Sequence, residues 1–307
     1  MGRRSWTLTA LVGALLAALA GPAAAARELP VAYHSPLAVA ASLAHPGSAP
    51  PGANDWSCRS ATRPRPVVLL HGTHVNMRIN WHTLSPLLKN NGYCVFALNY
   101  GGLHAGQIGG TGDIPASAGE LESFVDRVLA ATGAAEVDFV GHSLGGTLAQ
   151  YYVKFHGGAA KTHNVIGLAP TSHGSSALGL DEWIRTVLRV LPGLARFVNK
   201  ADPAALQQLR GSEFIKRLNS SPDTVPGVRY TTIASRHDAV VTPYESQFLH
   251  GPGSTNILVQ ELCRNDFGEH LALAFDHVAL REVLNALDPA TARRPDCSRP
   301  VWPIIGG

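Results

Sequence analysis

The pentapeptide G-H-S-L-G at residues 141–145 restricts the fold of this 307-residue chain more than any other feature. It directly follows residues 137–140, a mostly apolar stretch that predicts a strand, and a helical pattern follows it. In that context, G-x-S-x-G predicts a sharp strand-to-helix turn that lifts the serine side chain above the sheet. Such a turn leaves no room for a Cβ atom beside the serine, which explains the flanking glycines. We therefore predict that Ser143 is a nucleophile.

Strand and helix patterns alternate along the chain. Continuous apolar runs, typical of strands buried on both faces, lie at residues 66–70 and 93–98. Further strands are predicted at residues 137–140, 164–169, 229–234 and 256–259. Helical spacing of apolar residues occurs at 80–90, 118–131, 148–155 and 271–287. The alternation predicts an α/β fold, with a mostly parallel central sheet and helices on both faces. Residues 27–62 show little periodicity, which predicts an N-terminal arm that lies over the domain and is not a domain of its own.

The first 26 residues predict a secretory signal peptide. Arg3 and Arg4 precede an uncharged, mostly apolar run, and three alanines ending at Ala26 offer a cleavage site. The alternative, a membrane anchor, is disfavoured because the run is shorter than the ~20 residues that a spanning helix needs. We therefore expect a secreted protein with one domain over residues 27–307.

The composition of the mature chain disfavours a nucleic-acid-binding protein and a membrane-anchored protein. Removing residues 1–26 lowers the formal net charge from +3 to +1, so no electrostatic footprint for nucleic acid remains. No later stretch is long and apolar enough to predict a transmembrane anchor.

Four cysteines, an even number in an exported chain, predict two disulfide bonds. Three pairings are possible. We favour Cys58–Cys94 and Cys263–Cys297, because each bond closes a local loop and the second would hold a terminal segment. A zinc site is disfavoured because the chain has no C-x-x-C pair and no tight Cys/His cluster.

A serine nucleophile needs a histidine base that a carboxylate orients, and after a G-x-S-x-G turn the chain order is serine, acid, histidine. Asp238 lies just beyond the run at 229–234, at the strand end where open α/β sheets build their sites. Asp202 and Asp223 precede that strand and are poorer candidates. We predict that Asp238 is the acid.

Five histidines after Ser143 are candidates for the base. They are His173, His237, His250, His270 and His277. His270 lies in a polar loop after the last predicted strand, where functional side chains concentrate. His277 falls inside the terminal helical pattern, where a packed or solvated histidine is the ordinary expectation. His270 is therefore the predicted base.

The negative charge that develops on an attacked carbonyl needs two backbone N–H donors, the oxyanion hole. One donor comes from the residue after the nucleophile, here Leu144, and the other from a loop after an early strand. Residues 71–73 form that loop, and Thr73 is the predicted second donor, with a hydroxyl that could add a third hydrogen bond.

One insertion, residues 174–222, separates two of the predicted strands. Within it, residues 181–191 predict a strongly amphipathic helix that Pro192 ends. The apolar side chains of this helix are Trp183, Ile184, Val187, Leu188 and Leu191. Two interpretations stay open, a helix packed on the core and a mobile lid, because periodicity alone does not separate them.

With these residues assigned, the chain resembles the secreted bacterial triacylglycerol lipases of the lipase class 2 family. The resemblance rests on PVVLLHG (66–72), GYCVFALNYG (92–101), VGHSLGG (140–146), TVPGVRYTTIASRHDAVVT (224–242) and EHLALAFDHVALREVLNALD (269–288). It implies an α/β-hydrolase fold with a helical, lid-like insertion. It also implies that Ser143, Asp238 and His270 hydrolyse acyl esters without a cofactor, on lipid at an oil–water interface.

Three other functions compete with a lipase. A carboxylesterase for short soluble esters shares every predicted site residue, and an acyltransferase would use the same acyl-enzyme while excluding water. A non-enzymatic binding protein on the same scaffold is disfavoured, because nucleophile, acid, base and oxyanion donors are all present. The amphipathic insertion separates a lipase from a carboxylesterase, since a lipase exposes an apolar face at an oil surface and an esterase need not.

Overall fold

A computed structural model describes residues 28–33, 35–45, 47–104 and 106–304. The predicted signal peptide, residues 1–26, lies outside this part of the chain. The described strands are β1 (Val67–Leu70), β2 (Val95–Leu98), β3 (Leu103–His104), β4 (Ile108–Gly109), β5 (Val137–His142), β6 (Thr162–Leu168), β7 (Arg229–Ala234) and β8 (Ser254–Leu258).

Six of these strands form one parallel sheet in the order β2-β1-β5-β6-β7-β8, and β3 and β4 form a short antiparallel hairpin. Because all six strands run in one direction, their carboxyl ends lie at the same edge of the sheet. In the register of the sheet, Leu70 pairs with Gly141, and Leu168 pairs with both His142 and Ile233. The loops that follow β1, β5 and β7 therefore meet at one edge.

The described helices are α1 (Ser35–Ala44), α2 (Met77–Asn80), α3 (Leu84–Asn90), α4 (Ile114–Thr132), α5 (Leu144–Phe155), α6 (Asp181–Val190), α7 (Pro192–Ala201), α8 (Pro203–Gln207), α9 (Glu213–Leu218), α10 (Val259–Leu262) and α11 (His277–Leu287). Short 3₁₀ turns lie at Gly158–Lys161, Tyr244–Gln247, Ala272–Ala274 and Pro289–Thr291. None of the helices in the described ranges is long and apolar enough to cross a membrane.

The sheet carries an apolar core on each face, which confirms the predicted α/β fold. Val68 and Leu70 of β1 point into a core that α4 and α5 cover, whereas Val67 and Leu69 point into a core that α3 and α11 cover. All four side chains are fully buried. A strand with apolar neighbours on both faces needs no polar alternation, which is why its sequence is a continuous apolar run.

The structure adds to the sequence analysis at one place and corrects it at another. The N-terminal arm contains a helix that the sequence did not indicate, since α1 lies within it and Ala38 packs against Ala274 and Phe275. This helix is apolar on most sides, so no stripe marks it in the sequence. The pattern at 271–287 is not one helix, because the side chain of Asp276 accepts a hydrogen bond from Val278 N (2.7 Å) and caps a new helix.

The predicted disulfide pairing is confirmed. Cys58 is bonded to Cys94 and Cys263 to Cys297, with Cα–Cα distances of 5.7 Å and 5.3 Å. The first bond ties the N-terminal arm to the start of β2. The second ties the C-terminal arm to the loop that leads to His270.

Main-chain hydrogen bonds close the first part of the insertion. Ser175 N donates to Gln208 O and Arg210 N donates to Ser175 O, both at 2.9 Å, so residues 175 and 208–210 are paired. Ser176 N also donates to Thr242 O (2.7 Å) in the loop after β7. Between these contacts, α6 ends before Pro192, as predicted, and α7 begins at that proline.

Candidate active site

Ser143 lies on the turn between β5 and α5, at the carboxyl edge of the sheet. Its backbone has φ 53° and ψ −123°, a conformation that non-glycine residues rarely adopt. The surrounding chain enforces it, because Ser143 N donates to Leu168 O on the neighbouring strand (2.8 Å). A Cβ atom at Gly145 would overlap the carbonyl oxygen of Leu70. The turn has the geometry of a nucleophile elbow.

Asp238 and His270 form a buried hydrogen-bonded pair next to this elbow. The Nδ1 atom of His270 lies 2.7 Å from Asp238 Oδ2, and the two side chains are 4% and 0% exposed. The other carboxylate oxygen of Asp238 accepts hydrogen bonds from Val240 N and Val241 N, both at 2.8 Å. Gln247, a buried residue that the sequence did not indicate, donates from Nε2 to Asp238 Oδ2 (2.9 Å). The carboxylate is therefore fixed in the orientation that a histidine base requires.

His142 connects the elbow to the loop that carries His270. Its Nε2 atom lies 2.9 Å from the main-chain oxygen of His270, which can only accept, so Nε2 carries the proton in this contact. Its Nδ1 atom lies 3.1 Å from Asn80 Oδ1. That same oxygen accepts a hydrogen bond from Gly72 N (2.9 Å) in the loop after β1. His142 thus links the turn at Ser143 to the loop that carries His270, and Asn80 holds the loop after β1.

Two buried histidines at this edge are held neutral. Burial lowers the pKa of His142 to about 3, and the neighbouring His270 adds to this effect. Burial also lowers the pKa of His71 to about 4. The His71 ring stacks on Tyr100 at 4.4 Å between centroids, and the Tyr100 hydroxyl donates to the main-chain oxygen of His71. Neither ring is therefore a cation in the neutral pH range.

Thr73 and Leu144 lie where an oxyanion hole requires them, after β1 and directly after Ser143. Within the described residues, neither backbone N–H donates a hydrogen bond. The Thr73 hydroxyl accepts a hydrogen bond from Gln208 Nε2 (2.9 Å), which leaves the hydroxyl proton free to donate. Gln208 is buried and belongs to the insertion, so this contact joins the insertion to the oxyanion loop.

The β3–β4 hairpin holds the oxyanion loop from its other side. His74 N donates to Gly109 O and Gly109 N donates to Val75 O, both at 2.9 Å. A Cβ atom at Gly110 would lie 2.9 Å from Gly72 O, so the two segments approach at a distance that only glycine permits. A two-residue strand leaves almost no hydropathy signal, so the sequence did not predict this hairpin.

The rejected candidates lie outside the Asp238–His270 pair. Asp223 contacts His173 (3.2 Å), and Asp202 of the insertion contacts His74 (2.6 Å). His277 begins α11, and its Nε2 atom lies 2.8 Å from Asp296 O on the C-terminal arm.

Ser143 Oγ has no hydrogen bond within the described part of the chain. A bond from nucleophile to base often tightens only when substrate binds.

Comparison with known proteins agrees with this geometry. Residues 64–274 match the family model described as lipase (class 2). A triacylglycerol lipase of Burkholderia plantarii is 31% identical over 206 residues, or 65% of this chain and 52% of the relative. A triacylglycerol lipase of Pseudarthrobacter phenanthrenivorans is 30% identical over 182 residues, or 57% of this chain and 52% of the relative. The match spans about half the length of each of these relatives.

Solved structures share the fold at low sequence identity. Aspergillus fumigatus lipase B gives a TM-score of 0.60 at 19% identity, over 82% of this chain and 57% of that protein. Bacillus licheniformis lipase BlEst2 in its mature form gives a TM-score of 0.53 at 17% identity, over 78% and 96%. The fold is the α/β-hydrolase fold, and the chain belongs to the lipase (class 2) family.

Proposed function

We propose that this protein is a secreted triacylglycerol lipase in which Ser143 is the nucleophile, His270 the base and Asp238 the acid. The observation that carries the proposal is the buried 2.7 Å contact between His270 Nδ1 and Asp238 Oδ2 beside the strained turn at Ser143. A serine hydroxyl is a weak nucleophile at neutral pH, and an oriented histidine activates it.

The reaction follows from this arrangement. As Ser143 Oγ attacks the ester carbonyl carbon, its proton passes to His270 Nε2, and Asp238 stabilises the imidazolium that forms. The N–H groups of Thr73 and Leu144 donate to the oxyanion, and the Thr73 hydroxyl adds a third donor. His270 then protonates the departing alcohol oxygen as the C–O bond breaks and the acyl-enzyme forms. Water, deprotonated by the same histidine, hydrolyses the acyl-enzyme and releases the fatty acid.

Acyl lipid is the substrate class that we propose, on two grounds. Two relatives at about 30% identity are described as triacylglycerol lipases. The insertion also exposes large apolar side chains, among them Trp183, which is 65% exposed, and Phe197, which is 69% exposed. A carboxylesterase for short soluble esters has no need of such a face.

We propose further that residues 181–191 act as a lid. Three of the apolar side chains on α6, Ile184, Val187 and Leu188, are half-buried, whereas Trp183 and Leu191 are at least half exposed. The helix therefore leaves much of its apolar face uncovered. Ala177 and Leu178, at its N-terminal side, have positive φ angles of 47° and 59°. This strained backbone lies next to the main-chain hydrogen bonds of Ser175 and Ser176, and such a place suits a hinge.

Secretion is part of the proposal. It rests on the predicted signal peptide at residues 1–26 and on the two disulfide bonds, which persist in oxidising compartments. N-terminal sequencing of the protein from culture medium tests it, and we expect the mature chain to begin at Arg27.

The experiment that tests the reaction combines active-site labelling with substrate profiling. A fluorophosphonate probe should label the wild-type protein on Ser143 and leave Ser143→Ala unlabelled. Hydrolysis of p-nitrophenyl esters is then measured against acyl length, below and above the solubility limit of each ester. A lipase gains activity when the ester forms droplets, whereas a carboxylesterase prefers short soluble esters. Acyl transfer to added alcohol in preference to water would instead indicate an acyltransferase.

A further inference from the structure

The two longest helices of the insertion, α6 and α7, form a surface that the rest of the described chain covers poorly. We call residues 181–201 the insertion hairpin. No side chain of α7 is buried, and in α6 only Asp181 is. The apolar side chains of the hairpin that are most exposed are Trp183, Val190, Leu191, Leu194 and Phe197. Apolar residues so placed contact something other than the protein core.

The insertion hairpin has four cations and two anions, so its formal net charge is +2. Asp181 and Glu182 both contact Arg185, at 3.2 Å and 2.6 Å, and Asp181 also contacts Arg210, outside the hairpin, at 3.4 Å. Within the part of the chain that the structure describes, Arg189, Arg196 and Lys200 form no ion pair. All three are exposed. The hairpin therefore presents three unpaired cations and no unpaired anion.

The cations and the apolar residues lie on different faces of their helices. At 100° per residue, Arg189 projects opposite the face that carries Trp183 and Val187. On α7, Arg196 and Lys200 lie away from the face of Leu194 and Phe197. Lys and Arg on one face, with Trp, Phe and Leu on the other, are typical of a helix that lies in the plane of a membrane interface. Long cationic side chains reach lipid headgroups from that position.

From this arrangement we infer that the insertion hairpin binds a lipid surface that carries anionic phospholipid headgroups. The inference deepens the proposed function, on which it rests, because it names the surface on which the enzyme works. Charge complementarity selects this partner over two others. A neutral oil droplet would satisfy the apolar face and leave the three cations unpaired. A second copy of this chain would bring the same three cations into mutual repulsion.

Vesicle binding tests the inference without depending on ester hydrolysis. The Ser143→Ala protein is used, so that released fatty acid does not charge the vesicles. Binding is measured by co-flotation with vesicles of phosphatidylcholine alone, or of three parts phosphatidylcholine to one part phosphatidylglycerol. We expect tighter binding to the mixed vesicles, and the difference should shrink as salt is added. Equal affinity for both compositions overturns the inference.

A triple variant tests the three cations directly. R189Q/R196Q/K200Q should bind the mixed vesicles more weakly, by about five-fold for each cation and so by up to about 100-fold. The matched control is R264Q/R293Q/R294Q, which removes the same charge outside the insertion and should bind like the parent. Thermal melting verifies that both triple variants fold. An equal loss in both variants would mean that net charge is responsible and not this surface.

Two further measurements keep the outcomes distinct. W183S/F197S should weaken binding to both vesicle compositions, because it removes apolar contact and leaves the cations in place. Sedimentation velocity at increasing protein concentration detects self-association through the hairpin, and a dimer that W183S/F197S abolishes would overturn the inference. If vesicle binding follows the cations while wild-type protein hydrolyses no ester, the proposed function fails and this inference survives.

Discussion

The Nε2 atom of His142 donates a hydrogen bond to the main-chain carbonyl of His270 at a distance of 2.9 Å. The residue before the proposed nucleophile therefore holds the loop that carries the proposed base. This contact joins two segments that are 128 positions apart in sequence. Asp238 contacts Nδ1 of the His270 ring. The backbone of His270 and its imidazole ring are therefore each held by a hydrogen bond.

The first prediction concerns the nucleophile. Ser143→Ala should lower kcat by about 10⁶-fold, as loss of a triad serine does in other hydrolases, because no other hydroxyl replaces Oγ. The measurement is p-nitrophenyl butyrate hydrolysis, with circular dichroism to verify the fold. A folded variant that retains more than a few per cent of the activity would exclude Ser143 as the nucleophile.

The second prediction separates the acid and the base from their neighbours. Asp238→Asn should lower kcat by about 10⁴-fold, since the amide would no longer stabilise the correct tautomer and the imidazolium of His270. His270→Ala should be at least as severe. The matched control is His277→Ala, which loses only a contact with the C-terminal arm and should change kcat little. The assignment of the base is wrong if His277→Ala inactivates the enzyme and His270→Ala does not.

The third prediction concerns the dependence of stability on pH. Burial lowers the pKa of His142 to about 3, below its value in the unfolded chain, so the unfolded state binds the proton more readily. The stability that this residue contributes is therefore complete above about pH 6.5 and is lost as the pH falls towards 3.

His142→Gln removes this titration. It should reduce the slope of unfolding free energy against pH by up to about 1.4 kcal/mol per pH unit between pH 6 and 4. Urea unfolding at several pH values measures the slope, which is independent of any uniform destabilisation by the substitution. An unchanged slope would show that His142 is not held neutral in the folded protein.

The fourth prediction concerns the lid. Trp183→Ser combined with Leu188→Ser should lower activity on emulsified long-chain triacylglycerol much more than activity on dissolved p-nitrophenyl acetate. An oil surface can open the lid only if the apolar face of α6 is better buried in lipid when the lid is open than against the protein when it is closed. Parallel assays on the two substrates measure the ratio. Equal losses on both would assign α6 to core packing.

The fifth prediction uses the two disulfide bonds as a matched pair. Their sequence separations, 36 for Cys58–Cys94 and 34 for Cys263–Cys297, predict nearly equal stabilisation of about 4 kcal/mol from loop closure. Replacing either pair by serine should therefore lower the unfolding free energy by a similar amount.

Activity should distinguish the two pairs. The Cys263–Cys297 bond ties the C-terminal arm to the loop that leads to His270, so its loss should also lower kcat at temperatures where both variants stay folded. The Cys58–Cys94 bond lies in the N-terminal arm and serves as the control. Equal kcat for the two double variants would contradict a role of the C-terminal bond in placing the base.

The sequence alone determined the elements whose signal is local. The strand at 67–70 is a continuous apolar run because both of its faces are covered, and the turn at Ser143 is marked by glycines that no other residue can replace. The proposed acid, Asp238, was chosen because it lies just past a strand end, at the edge where open α/β sheets build their sites. Local loop closure also selected the correct disulfide pairing.

Only the tertiary structure decided what depends on polar contacts between distant segments. Gln247 and Gln208, which hold the side chains of Asp238 and Thr73, are ordinary glutamines in the sequence, and their roles come from burial beside an acceptor. The same is true of His142, whose partner is a backbone carbonyl and therefore leaves no trace in residue type. Hydropathy periodicity indicates which face of an element is buried. It does not indicate which two polar atoms form a hydrogen bond. Those partners are fixed only when the folded sheet brings the loops together.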